Sequence, residues 1–139
     1  MADTTRFNPS WISAAGDMIS TSQDLHTFFS ALNGGKLLPA PLLAEMRTPH
    51  PKVGYGLGVF VEEADGGGTI LQHNGGLGGW ATLMYSTPDG SKTLTGSLTS
   101  GDAELDWPAI AEAFEKVKQR LVKEVFRGGL SSARTGRTW

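Results

Sequence analysis

Hydrophobic residues recur along this chain with two different periods. Leu25, Phe28, Phe29 and Leu32 stand at i, i+3, i+4 and i+7, the spacing that gathers side chains on one side of an α-helix. Thr21 or Ser22 offers a hydroxyl cap ahead of this run. Asn33-Gly34-Gly35 ends it, because glycine reaches the left-handed conformation in which helices stop. A shorter helix follows Pro41 and carries Leu42, Leu43 and Met46. The Pro49 and Pro51 pair around His50 closes that helix, since proline lacks the N–H that would continue it. Residues 51–54 are then a connector.

From residue 55 the period shortens to two. Leu57, Val59 and Val61 alternate through 55–63, and Asp65-Gly66-Gly67-Gly68 is a turn before a second strand over 69–73. The two are expected to pair antiparallel. Residues 81–87 place Leu83 and Tyr85 on one face and Thr82 and Met84 on the other, and Pro88-Asp89-Gly90 turns the chain into 91–98. The long period returns after Asp106 and Pro108, where Ile110, Phe114, Val117, Leu121 and Val125 form one stripe. This last helix is expected to pack on the sheet. Residues 127–139 have no period, which predicts a flexible tail with Trp139 exposed. Helices, then strands, then a helix make an α+β chain with an antiparallel sheet of three or four strands.

A chain of 139 residues is long enough for one domain with a modest core. A net charge of −2 gives no long-range pull on phosphate backbones, so nucleic acid is not an expected partner. With no cysteine, disulfides and thiolate metal sites are excluded, and the compartment stays open. No membrane span is expected, and residues 1–10 lack the apolar core of a signal peptide, so as it stands the chain would remain where it is made.

The chemistry concentrates at His73-Asn74-Gly75-Gly76, at the end of Thr69-Ile70-Leu71 and ahead of Leu77-Gly78-Gly79-Trp80. A histidine and an amide at a strand end, with glycines beyond them, open backbone N–H and C=O groups to a ligand. A plain turn would use the same residue types. Two other readings are weaker. His26 lies on the polar side of the first helix and His50 sits between prolines, so the three histidines are not expected to form a metal site. The glycines from 75 to 79 lead into a strand and not a helix, which leaves no helix N-terminus for a dinucleotide phosphate. Cofactors are therefore not expected. No Ser-x-x-Lys, Gly-x-Ser-x-Gly or Cys occurs in the sequence, and with them goes any obvious activated nucleophile.

The order of motifs carries a resemblance. Trp11 with the run from Ala14 to Thr21, then Asp24-Leu25 and Phe28-Phe29, Leu37-Leu38 and Met46, Tyr55-Gly56-Leu57-Gly58, and His73-Asn74-Gly75-Gly76 resemble the C-terminal part of serine beta-lactamases and D-alanyl-D-alanine carboxypeptidases. The Streptomyces DD-peptidases and class C beta-lactamases are the nearest in pattern. The resemblance implies a partial beta-lactamase/transpeptidase-like fold: residues 1–126 as the C-terminal portion of such a domain, with two N-terminal helices and one long C-terminal helix, and 127–139 outside it. It also implies acyl transfer to a serine, in a family whose members are mostly secreted or held at the cell envelope.

Of that family's three catalytic motifs, only one is matched. Ser-x-x-Lys is absent, and Tyr-x-Asn is not matched by Tyr55-Gly56-Leu57 or by Tyr85-Ser86-Thr87. His73-Asn74-Gly75 resembles the Lys-Thr-Gly or His-Thr-Gly element of the strand that lines the cleft. By this resemblance His73 is a catalytic residue beside the nucleophile, where a polar, partly cationic group favours deprotonation or holds a substrate carboxylate. The N–H of Gly76 is one of two oxyanion donors, a role typically worth about 3 kcal/mol in the transition state. Asn74, Gly75 and Trp11 touch substrate; Asn74 stands where the family has Thr or Ser, and its amide can donate but cannot copy a hydroxyl. Trp11 serves as well as a core anchor.

Two functions follow from different classes. Either the chain is the C-terminal moiety of a serine hydrolase, of carboxypeptidase, beta-lactamase or esterase type, inactive until an N-terminal half complements it. Or it is a non-catalytic binding module derived from that fold. Small peptide, beta-lactam or ester ligands belong to the complemented form, and the uncovered sheet edges are expected to drive self-association.

Overall fold

The computed structural model of the protein describes residues 8, 10, 12–64, 67–77, 80–99 and 107–126. A short 3-10 turn, Ser13–Ala15, precedes helices α1 (Ser22–Asn33) and α2 (Ala40–Met46). Four strands follow, β1 (Phe60–Glu63), β2 (Thr69–Leu77), β3 (Trp80–Ser86) and β4 (Thr93–Thr99), and then α3 (Trp107–Phe126). The sheet is antiparallel throughout, in the order β1-β2-β3-β4. It is the α+β arrangement that the change of period predicts. The expectations for Trp11, Asp106, the side chain of Ile110 and residues 127–139 lie outside the described residues.

Alternation along the strands divides the core in two. Leu71 of β2 joins Phe29 of α1, Leu43 and Met46 of α2, and Val59. Its neighbour Ile70 turns the other way, to Leu83 and Tyr85 of β3 and Phe126 of α3. So α1 and α2 cover one face and α3 the other, and each fully buried Leu or Phe contributes about 1.5–3 kcal/mol.

Thr21 caps α1: its hydroxyl accepts from the Asp24 N–H at 3.1 Å and donates to the Asp24 carboxylate at 2.8 Å. At the other end Gly35 takes a left-handed φ of 73°. The inward arc of α1 is centred on Phe29, which buries Asn33 and leaves Phe28 51% exposed. The expected stripe is thus rotated. Phe28 lies about 100° from Phe29 around the helix, at the margin of the buried face, whereas Asn33 lies one turn directly beyond Phe29. In α3 the same shift leaves Val117 exposed and packs Phe114, Val122, Val125 and Phe126 against the sheet.

Two strand expectations change in ways that matter for the site. The first expected strand, 55–63, is pairing-competent only over Phe60–Glu63. Residues 55–60 close on themselves: Tyr55 bridges Phe60, the Gly56 N–H donates to Val59 C=O at 2.7 Å, and Gly58 has a left-handed φ of 84°. The Leu57 N–H is taken by Met46 C=O at 2.9 Å, which leaves the Leu57 side chain exposed and Val59 buried. The second strand, expected to stop at His73, instead continues through both glycines to Leu77, because β3 pairs with it along that whole length.

Candidate functional site

The two changes together create an open edge. The Ala64 N–H donates to Gly68 C=O at 2.9 Å, so the even-numbered residues of β2 turn their backbone groups toward β1 and the odd-numbered ones toward β3. β1 begins at Phe60, opposite Gln72. Asn74 and Gly76, the next even residues, therefore present N–H and C=O groups to a side that no strand covers among the described residues. Both are exposed, as is Gly75.

Neither glycine is demanded by the backbone. Gly75 and Gly76 do not have left-handed torsions, and a Cβ would meet its nearest neighbour at 3.7 Å and 3.9 Å, ordinary contact. What glycine leaves here is room beside an exposed stretch of strand.

His73 lies half-buried in register with Met84, on the α1 and α2 face. Asn74 falls on the opposite face by alternation. The imidazole is held at both nitrogens: Nδ1 is 2.7 Å from the Asn74 carbonyl oxygen, and Nε2 is 3.1 Å from the Tyr55 hydroxyl. Phe60 completes an aromatic cluster, edge-on to Tyr55 with ring centroids 4.4 Å apart and 6.0 Å from the His73 ring. Sequence alone gives Tyr55 no link to His73, since Tyr55-Gly56-Leu57 simply fails to match Tyr-x-Asn. The signal available was the Tyr55-Gly56-Leu57-Gly58 cluster, which alternation alone reads as strand.

The other two histidines go elsewhere. His26 pairs with the Thr93 hydroxyl, and His50 accepts from the Lys52 N–H at 3.4 Å. No group of three metal-ligating side chains occurs among the described residues.

A cleft lies on the other face of the sheet, between the strands and α3, lined by Glu62, Ile70, Tyr85, Glu115, Val122 and Phe126. Burial pushes the Tyr85 phenol up to about 12, and the carboxylates of Glu62 and Glu115 add to the shift. A phenol held neutral to that degree is a packing group and not a base at ordinary pH. Tyr85 thus serves that cleft as a wall, on the face of the sheet opposite to His73.

The family model for beta-lactamases matches residues 2–114. The chain belongs to the beta-lactamase family. Among solved structures, a D-stereospecific amidohydrolase from Streptomyces sp. is similar with a TM-score of 0.67 and 35% sequence identity, over 87% of this chain. The match covers 34% of the amidohydrolase chain, so this sequence spans about a third of that protein's length. The family fold carries a serine-hydrolase lineage into this chain and accounts for the partial α+β architecture. No helix among the described residues is long and apolar enough to cross a membrane.

Proposed function

We propose that this chain forms one wall of the acyl-transfer site of a serine hydrolase and acts when a complementary portion supplies Ser-x-x-Lys and Tyr-x-Asn. In the reaction a serine oxygen bonds to the substrate carbonyl carbon, its proton passes to the leaving nitrogen or oxygen, and water later releases the acyl group. Gly76 donates its N–H to the oxygen that becomes negative. His73 places its polar ring beside the nucleophile, and Asn74 and Gly75 line the substrate. The observation that supports this reading is the uncovered edge beyond Gln72, where the Gly76 N–H has no strand partner among the described residues. The similar amidohydrolase suggests the first substrate class to try, an amide with a D-configured residue.

The test is complementation. The chain is mixed or co-expressed with an N-terminal portion carrying Ser-x-x-Lys and Tyr-x-Asn, and hydrolysis of D- and L-configured amides and an ester is followed. Activity is expected only in the mixture. Gly76→Pro should lower it by roughly 10²-fold to 10³-fold, the usual effect of one lost oxyanion donor. Proline suits this position as a probe, since the N–H it removes faces the open side and no ladder bond is lost. Circular dichroism on the same samples checks the fold. His73→Ala should lower the rate and change its pH profile, whereas His26→Ala should do little. A folded complex that hydrolyses equally well with Gly76→Pro and His73→Ala would remove the assigned roles and favour the binding module.

The isolated chain is expected to be inert toward acylating beta-lactams and fluorophosphonates, because no activated serine is apparent. Intact-mass spectrometry after incubation reads this directly. A stoichiometric adduct would overturn it and point to Ser20 or Ser22, near the turn that follows Ser13–Ala15.

A further inference from the structure

We propose that Tyr55 is the positioning residue of His73: its hydroxyl donates to Nε2, fixing the neutral imidazole as the Nδ1–H tautomer and tying it to the Asn74 carbonyl on the open edge. This rests on the role proposed for His73 and extends it to the residue that sets its orientation. A carbonyl oxygen can only accept, so at 2.7 Å the Asn74 C=O requires the proton on Nδ1. In the neutral ring Nε2 is then a bare lone pair, and the Tyr55 hydroxyl 3.1 Å away is its donor. Free histidine prefers the other tautomer, with the proton on Nε2. The two contacts thus select the form that the side chain would not choose alone.

The local fold is built to keep the phenol there. His50 N–H donates to Tyr55 C=O at 2.9 Å, and Tyr55 pairs with Phe60 across the small turn. A Cβ at Gly56 would run into the Met46 carbonyl, so the backbone directly after Tyr55 sits hard against the end of α2. The consequence reaches the open edge. Of the groups that Asn74 turns outward, the C=O is occupied by the imidazole while the N–H stays free. At that position the edge offers a donor, and it receives an acyl or carboxylate oxygen more readily than the N–H of an added strand.

The experiment uses the whole chain, labelled with ¹⁵N, and long-range ¹H–¹⁵N spectra of the imidazoles at alkaline pH, with His73→Ala to assign the signals. Wild type is expected to show His73 protonated on Nδ1 and bare on Nε2. Tyr55→Phe keeps the ring against Phe60 but removes the hydroxyl, and the ratio of Nδ1–H to Nε2–H should fall about fivefold, the factor set by one ordinary hydrogen bond. His26 and His50 should not change. Predominant Nε2–H in wild type overturns the proposal without any variant, and so does an unchanged ratio in a folded Tyr55→Phe chain. Failure of complementation with the Nδ1–H tautomer present would count against the hydrolase reading and leave this assignment standing.

Discussion

Glycine occurs at both ends of the β2–β3–β4 sheet for opposite reasons, and the contrast separates the part of the molecule that holds it together from the part left open. In the turn between β3 and β4, Gly90 has a left-handed φ of 67° and packs against the end of α1. A Cβ there would lie inside contact distance of the Ser30 carbonyl and 2.6 Å from the Gly34 nitrogen. The Ser30 hydroxyl donates to Gly90 C=O at 2.7 Å, and Arg47 reaches across to the carbonyls of Asn33 and Pro88. Burial lowers the pKa of that guanidinium, an expense that three elements share in return for being tied at one point. At Gly75 and Gly76 nothing of this kind is found: the torsions are ordinary and a Cβ would fit. One glycine is required by packing, and the other two are free of it.

Substitution by alanine should expose that difference most strongly. Gly90→Ala combines a left-handed torsion with backbone overlap and should destabilise the chain by about 3 kcal/mol or more. Gly75→Ala should change stability by less than about 1 kcal/mol, and even gain a little from reduced freedom of the unfolded chain. Urea denaturation of the three proteins measures both. Equal losses would mean that the two regions do not differ in the way the geometry requires.

The same contrast explains what could be seen in the sequence. Element types and the antiparallel order follow from the change of period at residue 55, and they recur in the structure because alternate strand residues feed two cores, one on each face of the sheet. The limits of those elements depend on contacts that no local pattern carries. Leu57 and Val59 alternate as strand residues should, yet Met46 C=O captures the Leu57 N–H and the chain turns before it can pair. Phe28 fits a helical stripe, but the position of the sheet relative to α1 makes Asn33 the buried neighbour of Phe29. For the candidate site, His73 and the glycines stood out by residue type. Tyr55, eighteen positions earlier, meets His73 only because 55–60 closes into a turn. A long-range pair of that kind has no signature in spacing.

Amide exchange sharpens the comparison within a single strand. His73 and Gly75 direct their N–H groups to β3, and Ile70 and Gln72 direct theirs to β1, so these amides should exchange slowly. Asn74 and Gly76 should exchange faster by at least about tenfold, since their N–H groups face the open side. Uniform protection from 70 to 76 in a compact monomer, as read by sedimentation, would contradict the open edge. A dimer or larger oligomer, or else a dynamic monomer, is the expected state of the isolated chain, because an unpaired edge and half-exposed apolar residues such as Phe28 and Trp80 invite strand exchange. Protection at Asn74 and Gly76 that grows with concentration would identify the edge as the surface used.

Acid should weaken the tied end through one carboxylate, with the smallest effect of the set. Thr87 and Ser91 hold Asp89: the Thr87 hydroxyl donates at 2.5 Å, the Ser91 N–H at 3.0 Å and the Ser91 hydroxyl at 2.8 Å. These bonds, that from Thr87 first, lower the Asp89 carboxyl to about 2 from its ordinary 3.8. The folded state thus binds its proton later than the unfolded state does. The stabilisation is complete above the unfolded value and is lost as pH falls toward 2. Asp89 is exposed, so water reduces the effect, and Asp89→Asn should cost only about 0.5 kcal/mol near neutral pH. The variant should also lose this part of the decline between pH 4 and 2, so the two denaturation curves converge as acid is added. A gap that widens toward pH 2 would mean that the carboxylate is not what the turn depends on, and that Gly90 and Arg47 hold this end without it.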